Sequence, residues 1–313
     1  MANEVNSPNS TTTYAGKTAA GYVSRALLSC ETLDGGHIEI EPNVKADGLK
    51  LQDVTVGTML QEDSELFSAT GTTEISERVL KTRAMKVNKQ ESKTRLEDKF
   101  EGEKMKAGAN NSSIPADLNT FLIELYTGVT AEEIEVLIWQ GDRKAVGTQR
   151  RFFDGLITLA VKDATVIDIA NPSTVTEENV ISKVKAVNNA VPMAIRRRKD
   201  YTIYVSDDVA ETYTDALAAK GNERTVDEER PLTYKGKKMV SLPGLPANTI
   251  LATRKPNLRF GTDLLADKNE VKVIDLSETT GDDLLRYKMR MRAGVNYVYG
   301  SQIVMHTTFV PLP

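Results

Sequence analysis

A long amphipathic helix is the feature that most constrains this chain. The serine, isoleucine and proline at 113–115 are a helix N-terminal signal, a capping residue followed by an early proline. A second capping pattern, Thr130 with Glu133, indicates that the helix restarts or bends near Gly128. If continuous to Gly141, about 25 residues would span about 38 Å, the length of a structural beam. Its apolar stripe comprises Leu118, Phe121, Leu122, Leu125, Tyr126, Val129, Ile134, Leu137, Ile138 and Trp139.

Two extended segments that are poor in apolar residues precede this helix. Alternation of apolar and polar residues predicts strands at 38–41 and 49–56, and a second extended run covers 77–88. Residues 61–73 between them are polar and indicate a loop tip. A thin two-stranded ribbon of this kind is not stable alone in water. We therefore expect another surface to cover it, and a neighbouring copy of the chain is the obvious candidate.

The rest of the chain mixes helices and strands. Residues 1–13 are polar and indicate a mobile or partner-ordered tail, and residues 14–28 have a weak helical face. Thr176 and Ser206 occupy capping positions before apolar stripes and predict two helices, the second ending at Gly221. The sequence also predicts a strand at 201–205 and strand-like segments at 239–242, 250–253, 271–276, 285–292 and 302–308.

Composition restricts the class of protein. A chain of 313 residues buries roughly three quarters of its unfolded surface and needs no disulfide or metal to hold a core. Its 40 basic and 44 acidic residues give a net charge of -4, which weighs against a dedicated DNA-binding module. One cysteine excludes an intrachain disulfide framework. Without a secretory signal or an apolar run near the ~20 residues that span a bilayer, we expect a soluble protein made in the cytoplasm.

Two segments are locally basic. Residues 77–106 hold ten Lys or Arg and six Asp or Glu. A solvated surface is the simpler interpretation, and an inter-subunit contact strip is the sharper one. Residues 196–199 form a second basic cluster, which could face nucleic acid, acidic groups on another subunit, or solvent alone, and a solvated loop is the simplest interpretation.

Residues that could perform catalysis are sparse. The Gly-Lys-Thr run at 16–18 resembles the end of a phosphate-binding loop, but Thr11 occupies the position of that loop's first glycine. The histidines, His37 and His306, are far apart in sequence, and nothing organises a basic partner for Cys30. A buried or idle thiol is the better interpretation of the cysteine.

Adjacent acidic pairs are the remaining candidates for a metal or carboxylate site. They are Glu177-Glu178, Asp207-Asp208 and Asp282-Asp283. Adjacent residues do not share a helix face, and the first two pairs lie at predicted helix N-termini, where acidic groups complement the helix dipole. We therefore predict no catalytic, cofactor-binding or metal-ligating residues, and no enzymatic activity.

Two groups of segments resemble the major capsid proteins of tailed bacteriophages. The first is the run 135–142, ending in a Trp-x-Gly-Asp turn, followed by Arg-Phe-Phe-Asp-Gly-Leu at 151–156. The second comprises 234–253, 257–263 and 292–295, which resemble the later strands of the shell domain in those proteins. The segments occur in the family's order, and the resemblance covers roughly residues 77–308.

This resemblance implies the Hong Kong 97 fold, an α+β architecture. Its implied parts are an N-terminal arm (1–48), an extended loop (49–88), a peripheral domain with a long spine helix at about 114–140 (89–154), an axial domain (155–262) and return strands of the peripheral domain (263–313).

The resemblance also implies a function. The chain is expected to be a structural subunit that self-assembles, through hexamers and pentamers, into the icosahedral head shell of a tailed phage around its DNA genome. Other implied partners are a portal, a separate scaffolding protein where one is used, and packaged double-stranded DNA through non-specific contact. The implied location is the virion capsid, assembled in the host bacterial cytoplasm.

Three alternatives remain open. An encapsulin-type bacterial compartment shell shares the implied architecture. A small hydrolase with a carboxylate site at Asp142 or Asp263 and a DNA-binding module belong to other classes. The acidic charge balance makes the last of these the least favoured.

Overall fold

The computed structural model describes most of the chain. The residues that it describes are 11–15, 30–45, 48–57, 59–63, 69, 71–93, 95, 118–169, 172–220, 231–263, 270–276 and 281–312. Within them, the strands form two six-stranded sheets and one two-stranded ribbon.

The strands, in chain order, are β1 (Thr11–Ala15), β2 (Glu39–Glu41), β3 (Leu49–Val56), β4 (Thr73–Leu80), β5 (Arg83–Ser92), β6 (Ile167–Asp168), β7 (Tyr201–Val205), β8 (Thr233–Tyr234), β9 (Lys237–Ser241), β10 (Ile250–Arg254), β11 (Leu258–Thr262), β12 (Glu270–Asp275), β13 (Leu284–Tyr297) and β14 (Val304–His306). The α-helices are α1 (Glu31–Asp34), α2 (Leu118–Gln140), α3 (Leu156–Lys162), α4 (Val180–Ala190), α5 (Met193–Arg196) and α6 (Asp207–Ala218).

The first sheet is built around β13, its longest strand. β5 pairs antiparallel with residues 284–293 of β13, β12 pairs with residues 285–290 of the same stretch, and β11 pairs with residues 293–297. β1 and β2 pair with β12 and β11 in turn. Leu285, Tyr287, Met289 and Met291 alternate with charged residues along β13 and face the core. This period of two fixes the register, because a slip of one residue would bury the charged set.

Helix α2 packs across the core face of this sheet as one uninterrupted helix. The Tyr126 ring lies 4.9 Å from the Tyr287 ring of β13. The restart predicted near Gly128 is wrong, because the Thr130 hydroxyl donates to the carbonyl of Tyr126, one turn earlier, at 2.7 Å. A mid-helix threonine bonded in this way is not a cap. The predicted start at 113–115 lies outside the described residues.

The second sheet has the strand order β6-β14-β10-β7-β9-β8 and is covered on both faces. All five residues of β7 are buried. Ile203 belongs to the core formed with α4 and α6, whereas Tyr204 belongs to the core that contains Trp139 of α2. A strand buried on both faces is expected to be nearly continuous in apolar residues, and Thr202 is the one exception at 201–205.

The predicted ribbon is real but shorter than its sequence pattern indicated. β3 and β4 pair with each other across all eight positions, from Leu49 with Leu80 to Val56 with Thr73. The run 77–88, predicted as one strand of the extended loop, divides after Leu80, and 83–88 pair with β13 instead. Glycine at 294 allows this crossing, because a Cβ there would lie 2.2 Å from the Lys81 carbonyl oxygen.

The N-terminal predictions are wrong where the structure describes that segment. Thr11–Ala15 form β1 against β12, so residues 11–13 are not a free tail and residues 14 and 15 are not helical. A strand neighbour 260 residues away in sequence, at 270–274, satisfies their backbone groups, and no local pattern could indicate this pairing. Residues 16–28 of the predicted helical face lie outside the described residues.

The sequence predicted the start of α6 correctly but not the start of α4. α6 begins directly after Ser206 as predicted, although the Ser206 hydroxyl accepts the Thr249 N–H at 3.2 Å and does not cap the helix. α4 begins at Val180 instead of after Thr176, because the Asn179 amide oxygen accepts the Thr176 N–H at 3.0 Å and holds a separate turn. The predicted stop at Gly221 lies outside the described residues.

Two strands, β11 and β14, lie in a different sheet from the one that the predicted domain boundaries implied. β11 falls inside the range 155–262 but pairs with β13 of the first sheet. β14 falls inside the range 263–313 but pairs with β10 of the second sheet. All three β14 residues are buried, which matches a position between β10 and β6 inside that sheet.

Candidate functional site

The predicted chemical candidates do not converge. In the described ranges, no group of three or more His, Cys, Asp or Glu side chains is placed to hold a metal ion. The helices described there are too short or too polar to cross a membrane. His37 packs against Tyr204, while His306 lies beside Lys183 with its Nε2 atom 3.1 Å from the Lys183 Nζ atom. The possible phosphate-binding run at 16–18 lies outside the described residues.

Cys30 is buried beside α2 and is not poised as a nucleophile. Burial raises the pKa of its thiol to about 12, and the Glu135 carboxylate adds to this rise. The reactive thiolate is therefore scarce at neutral pH. The interpretation of Cys30 as a buried thiol is confirmed.

The tryptophan of the Trp-x-Gly-Asp turn joins the N-terminal segment to α2. The Trp139 indole N–H donates to the Thr32 hydroxyl oxygen at 2.8 Å. The Thr32 N–H donates to Glu135 Oε2 at 3.0 Å, and the Thr32 hydroxyl donates to Glu135 Oε1. Gly244 packs so closely on this group that a Cβ would lie 2.6 Å from the indole ring. Each polar atom of this buried group thus has a partner, as burial requires.

The turn after α2 is held by close backbone contact and by Asp142. The Gly155 N–H donates to the Gly141 carbonyl at 2.8 Å, and a Cβ on either glycine would clash with the other's backbone. Burial raises the pKa of Asp142, but N–H donation from Leu312 and Lys144 outweighs it and lowers that pKa overall. Asp142 therefore ties the C-terminal segment to this turn, a structural role that explains its burial without a hydrolytic site.

The acidic pairs also have structural partners. Asp207 and Asp208 lie in the first turn of α6, as predicted, where Asp208 accepts the Asn248 N–H at 2.8 Å. Glu177-Glu178 lie in the turn before α4, two residues from its start. Asp282-Asp283 lie in the turn that enters β13. The basic cluster 196–199 is at the end of α5, where Arg197 and its two successors are exposed.

A charged group anchors the base of the β3–β4 ribbon. Arg78 Nη2 donates to Asp163 Oδ2 at 2.6 Å, and the Arg78 guanidinium lies 4.7 Å from the centre of the Tyr297 ring. The Tyr297 hydroxyl donates to the same carboxylate at 2.7 Å. Burial opposes ionisation of Asp163, yet N–H donation from Thr165 with these two partners holds the pKa of its carboxyl well below the ordinary value.

Beyond this anchor, the ribbon displays apolar side chains to solvent. Val54 and Ile75 are directly opposite each other in the register and share one face, with side chains 48% and 64% exposed. Val56 belongs to the same face, and Met59 and Leu60 follow at the tip, where Leu60 is 91% exposed. Contiguous exposed apolar groups of this kind mark interaction surfaces on soluble proteins.

A second surface is basic and lies on the outer face of the first sheet. Lys86 is directly opposite Arg290, and Lys272 is directly opposite Lys288. We define the basic face as Lys86, Lys272, Arg286, Lys288, Arg290 and Arg292, which share the face of β5, β13 and β12 opposite to the core. Sequence reasoning identified 77–106 as basic but missed β13, although cations alternate with core residues from 286 to 292.

A groove borders the basic face. It has a volume of about 420 Å³, and Met85, Phe152 and Met291 supply apolar lining. Lys86, Arg290 and Arg292 of the basic face also line it, so apolar and charged residues meet there.

Comparison with solved structures identifies the fold. The chain is similar to a subunit of the satellite phage P4 procapsid that includes the Sid protein, at 12% identity with a TM-score of 0.59, covering 91% of this chain and 97% of that one. Gordonia phage Cozz gives 13% identity and a TM-score of 0.56, covering 88% and 85%. The capsid of Myoviridae phage XM1 is similar at 11% identity with a TM-score of 0.55, and the match covers 89% of this chain and 92% of that one. No protein-family model and no curated protein sequence matches the chain.

These likenesses cover almost the whole chain in each direction. They show that the chain has the Hong Kong 97-type α+β fold of tailed-phage capsid subunits, as the sequence resemblance implied.

Proposed function

We propose that this chain is the structural subunit of an icosahedral phage head shell and works by self-assembly, without enzymatic activity. The observation that supports this most is the ribbon, a projection with exposed apolar side chains on a fold that phage capsid subunits share. A two-stranded ribbon needs a covering surface to be stable. The described remainder of the chain leaves its tip uncovered, so the covering surface belongs to another molecule.

The proposed division of the chain follows the sheets. The N-terminal arm (1–48) contributes β1 and β2 to the first sheet, and the extended loop is best assigned to 49–80. The peripheral domain is the first sheet with α2 as its spine helix. The axial domain is the second sheet with α4 and α6, to which β14 returns near the C-terminus.

The proposed partners are further copies of the chain, arranged as hexamers and pentamers. Each interface would fall in the obligate class, above about 2,000 Å². A portal and, where present, a separate scaffolding protein would complete the shell in the host bacterial cytoplasm. Contact with packaged double-stranded DNA would be non-specific, and the mature location would be the virion.

Expression of the full chain in bacteria, followed by sedimentation and electron microscopy, tests this proposal. We expect closed shells of uniform size, formed by the chain alone or with a co-expressed scaffolding protein. A chain that remains monomeric under all these conditions contradicts the proposal. Shells that enclose an enzyme in place of DNA would identify the encapsulin-type alternative.

A further inference from the structure

A second groove, which we call the acidic groove, lies along α2 on the side of the N-terminal segment at Cys30. It has a volume of about 450 Å³. Three carboxylates and several apolar groups share its lining, and among the described residues that line it none is basic. The carboxylates belong to Glu31, Glu132 and Glu135, and the apolar groups include Ala131, Val136 and Pro243.

The negative charge of the acidic groove has no counter-ion in the described part of the chain. Glu135 is only 4% exposed, and Thr32 supplies hydrogen bonds to its carboxylate but no positive charge. Burial raises the pKa of Glu31, and the charges of Glu135 and Asp207 add to the rise. α2 itself carries four acidic residues and no basic one. Because a buried charge without an ion partner is costly, a cation from another molecule would stabilise this groove.

Gly128 leaves the wall of the acidic groove open. A glycine inside a helix is destabilising relative to alanine, so it needs a reason. At Gly141, Gly155 and Gly244 that reason is close packing within the chain, but a Cβ on Gly128 would meet no described atom within 4 Å. The described part of the chain therefore makes no use of the missing side chain, and the space is open to a group from another molecule.

The segment 193–199, which we call the α5 segment, has the complementary composition. It presents Met193, whose side chain is 54% exposed, and then three exposed cations at 197–199. The next residue, Asp200, is bound to Arg254 at 2.7 Å, and no described carboxylate forms a salt bridge with these three cations. The ribbon does not match in this way, since residues 49–80 hold six acidic residues and two basic ones.

The α5 segment and the acidic groove lie at opposite ends of β7. The segment ends two residues before Tyr201, where β7 begins. At the other end, the carbonyl of Val205 accepts the Leu242 N–H at 3.0 Å, which places Pro243 of the groove there. A contact between these two surfaces is therefore heterologous and joins two copies head to tail.

We propose that the α5 segment of one subunit docks in the acidic groove of a second copy. Met193 packs on the apolar lining beside Gly128, and Arg197 and Lys199 neutralise the carboxylates. Repetition of this contact around a closed ring satisfies every subunit, and complementary charge fixes its orientation. The contact uses neither the ribbon nor the basic face, and it rests on the proposed shell function.

Gly128→Leu in the full chain is the most selective test. It fills the acidic groove and replaces glycine by a strong helix former. We expect the thermal midpoint of the dissociated subunit to stay or rise, whereas the assembled fraction, measured by sedimentation and electron microscopy, falls about tenfold. The matched control, Gly128→Ala, brings the same kind of gain in helix propensity with one methyl group and should assemble as the wild type does. Normal assembly of Gly128→Leu overturns the inference.

A charge swap tests the pairing itself. The groove variant is Glu31→Lys with Glu132→Lys, and the segment variant is Arg197→Glu with Lys199→Glu. We expect each variant alone to lower the assembled fraction about tenfold, because it places like charges in contact. All four substitutions together should restore assembly, since they exchange the signs and keep the attraction.

The control for the swap is Lys185→Glu with Lys238→Glu, two exposed cations outside the α5 segment. Failure of the fourfold variant to recover, or an equal loss in this control, overturns the inference. So does a segment variant that assembles normally but loses packaged DNA, because the cations then bind nucleic acid. Loss of assembly in the groove variant alone would assign the groove to a different protein and also refute the contact. A wild-type chain that never assembles refutes the proposed function itself.

Discussion

The ribbon and the second sheet differ in how far their strands are buried within one chain. β7, at the centre of the second sheet, is buried on both faces by α4, α6 and α2 within one chain. β3 and β4 pair only with each other among the described strands, and most of their apolar side chains remain exposed. The sheet is therefore buried within one chain, whereas the proposed function requires an assembly to cover the ribbon.

A matched pair of substitutions tests this contrast most strongly. Ile203 of β7 is fully buried, while Ile75 of β4 is 64% exposed. We expect Ile203→Ala to lower the free energy of unfolding by about 2–5 kcal/mol, because it removes buried methyl groups and leaves a cavity. Ile75→Ala should change it by less than about 0.5 kcal/mol.

Urea denaturation of the dissociated subunits measures both values. Assembly yield should show the reverse order for any variant that still folds, with Ile75→Ala impaired. Equal stability losses at the two positions would show that the ribbon is as self-sufficient as the sheet.

Removal of the ribbon is the next largest test. Deleting residues 53–76 and joining Gln52 to Glu77, its partner in the register, through an Asn-Gly turn keeps Leu51 and Leu80, the buried residues at the ribbon base. We expect a folded subunit with a thermal transition near that of the wild type, and an assembled fraction reduced by more than about tenfold because each interface loses its projecting half. Sedimentation and thermal unfolding give the two readouts. Loss of the cooperative transition would mean that the ribbon is part of the folding core.

The smallest expected effect is a pH dependence of the free energy of unfolding that the two histidines cause. Burial lowers the pKa of His306 and of His37 below the ordinary value of 6.5, and nearby lysines add to both shifts. The unfolded chain therefore binds more protons than the folded chain as pH falls through 6.5, so stability decreases on acidification. We expect a loss of under about 1 kcal/mol between pH 7.5 and 5.5.

Replacing both histidines with glutamine should flatten this slope, since the chain contains only these two. Denaturation curves at three pH values across the window measure it. A slope that is the same in the wild type and in the double variant would assign the dependence to carboxylates instead.

Features set by local periodicity were predictable from sequence, and features set by distant contacts were not. The apolar stripe predicted α2, and the strand-like segments at 201–205 and 250–253 predicted β7 and β10, because each pattern lies within the element that it describes. The division of 77–88 depends on Gly294, more than 200 residues away, where only a glycine admits the Lys81 backbone. The pairing of β1 with β12 and the return of β14 to the second sheet are equally non-local.

Of the two candidate surfaces, the sequence indicated the ribbon but not the basic face. The sequence predicted that the ribbon needs a partner, because its two strands contain too few apolar residues to be stable alone in water. It did not indicate the basic face, because that face combines Lys86 with residues of β12 and β13 that lie about 190–200 positions further along the chain. Only the register of the sheet places those cations on one face.

Hydrogen exchange of the ribbon amides, in dissociated subunits and in assembled particles, is the most direct test of the central claim. The amides of β3 and β4 should exchange fast in the free subunit and slowly in the particle, while those of β7 should be protected in both. Ribbon amides that exchange equally fast in both states would show that no neighbour covers the ribbon, and would contradict this account of how the chain builds a shell.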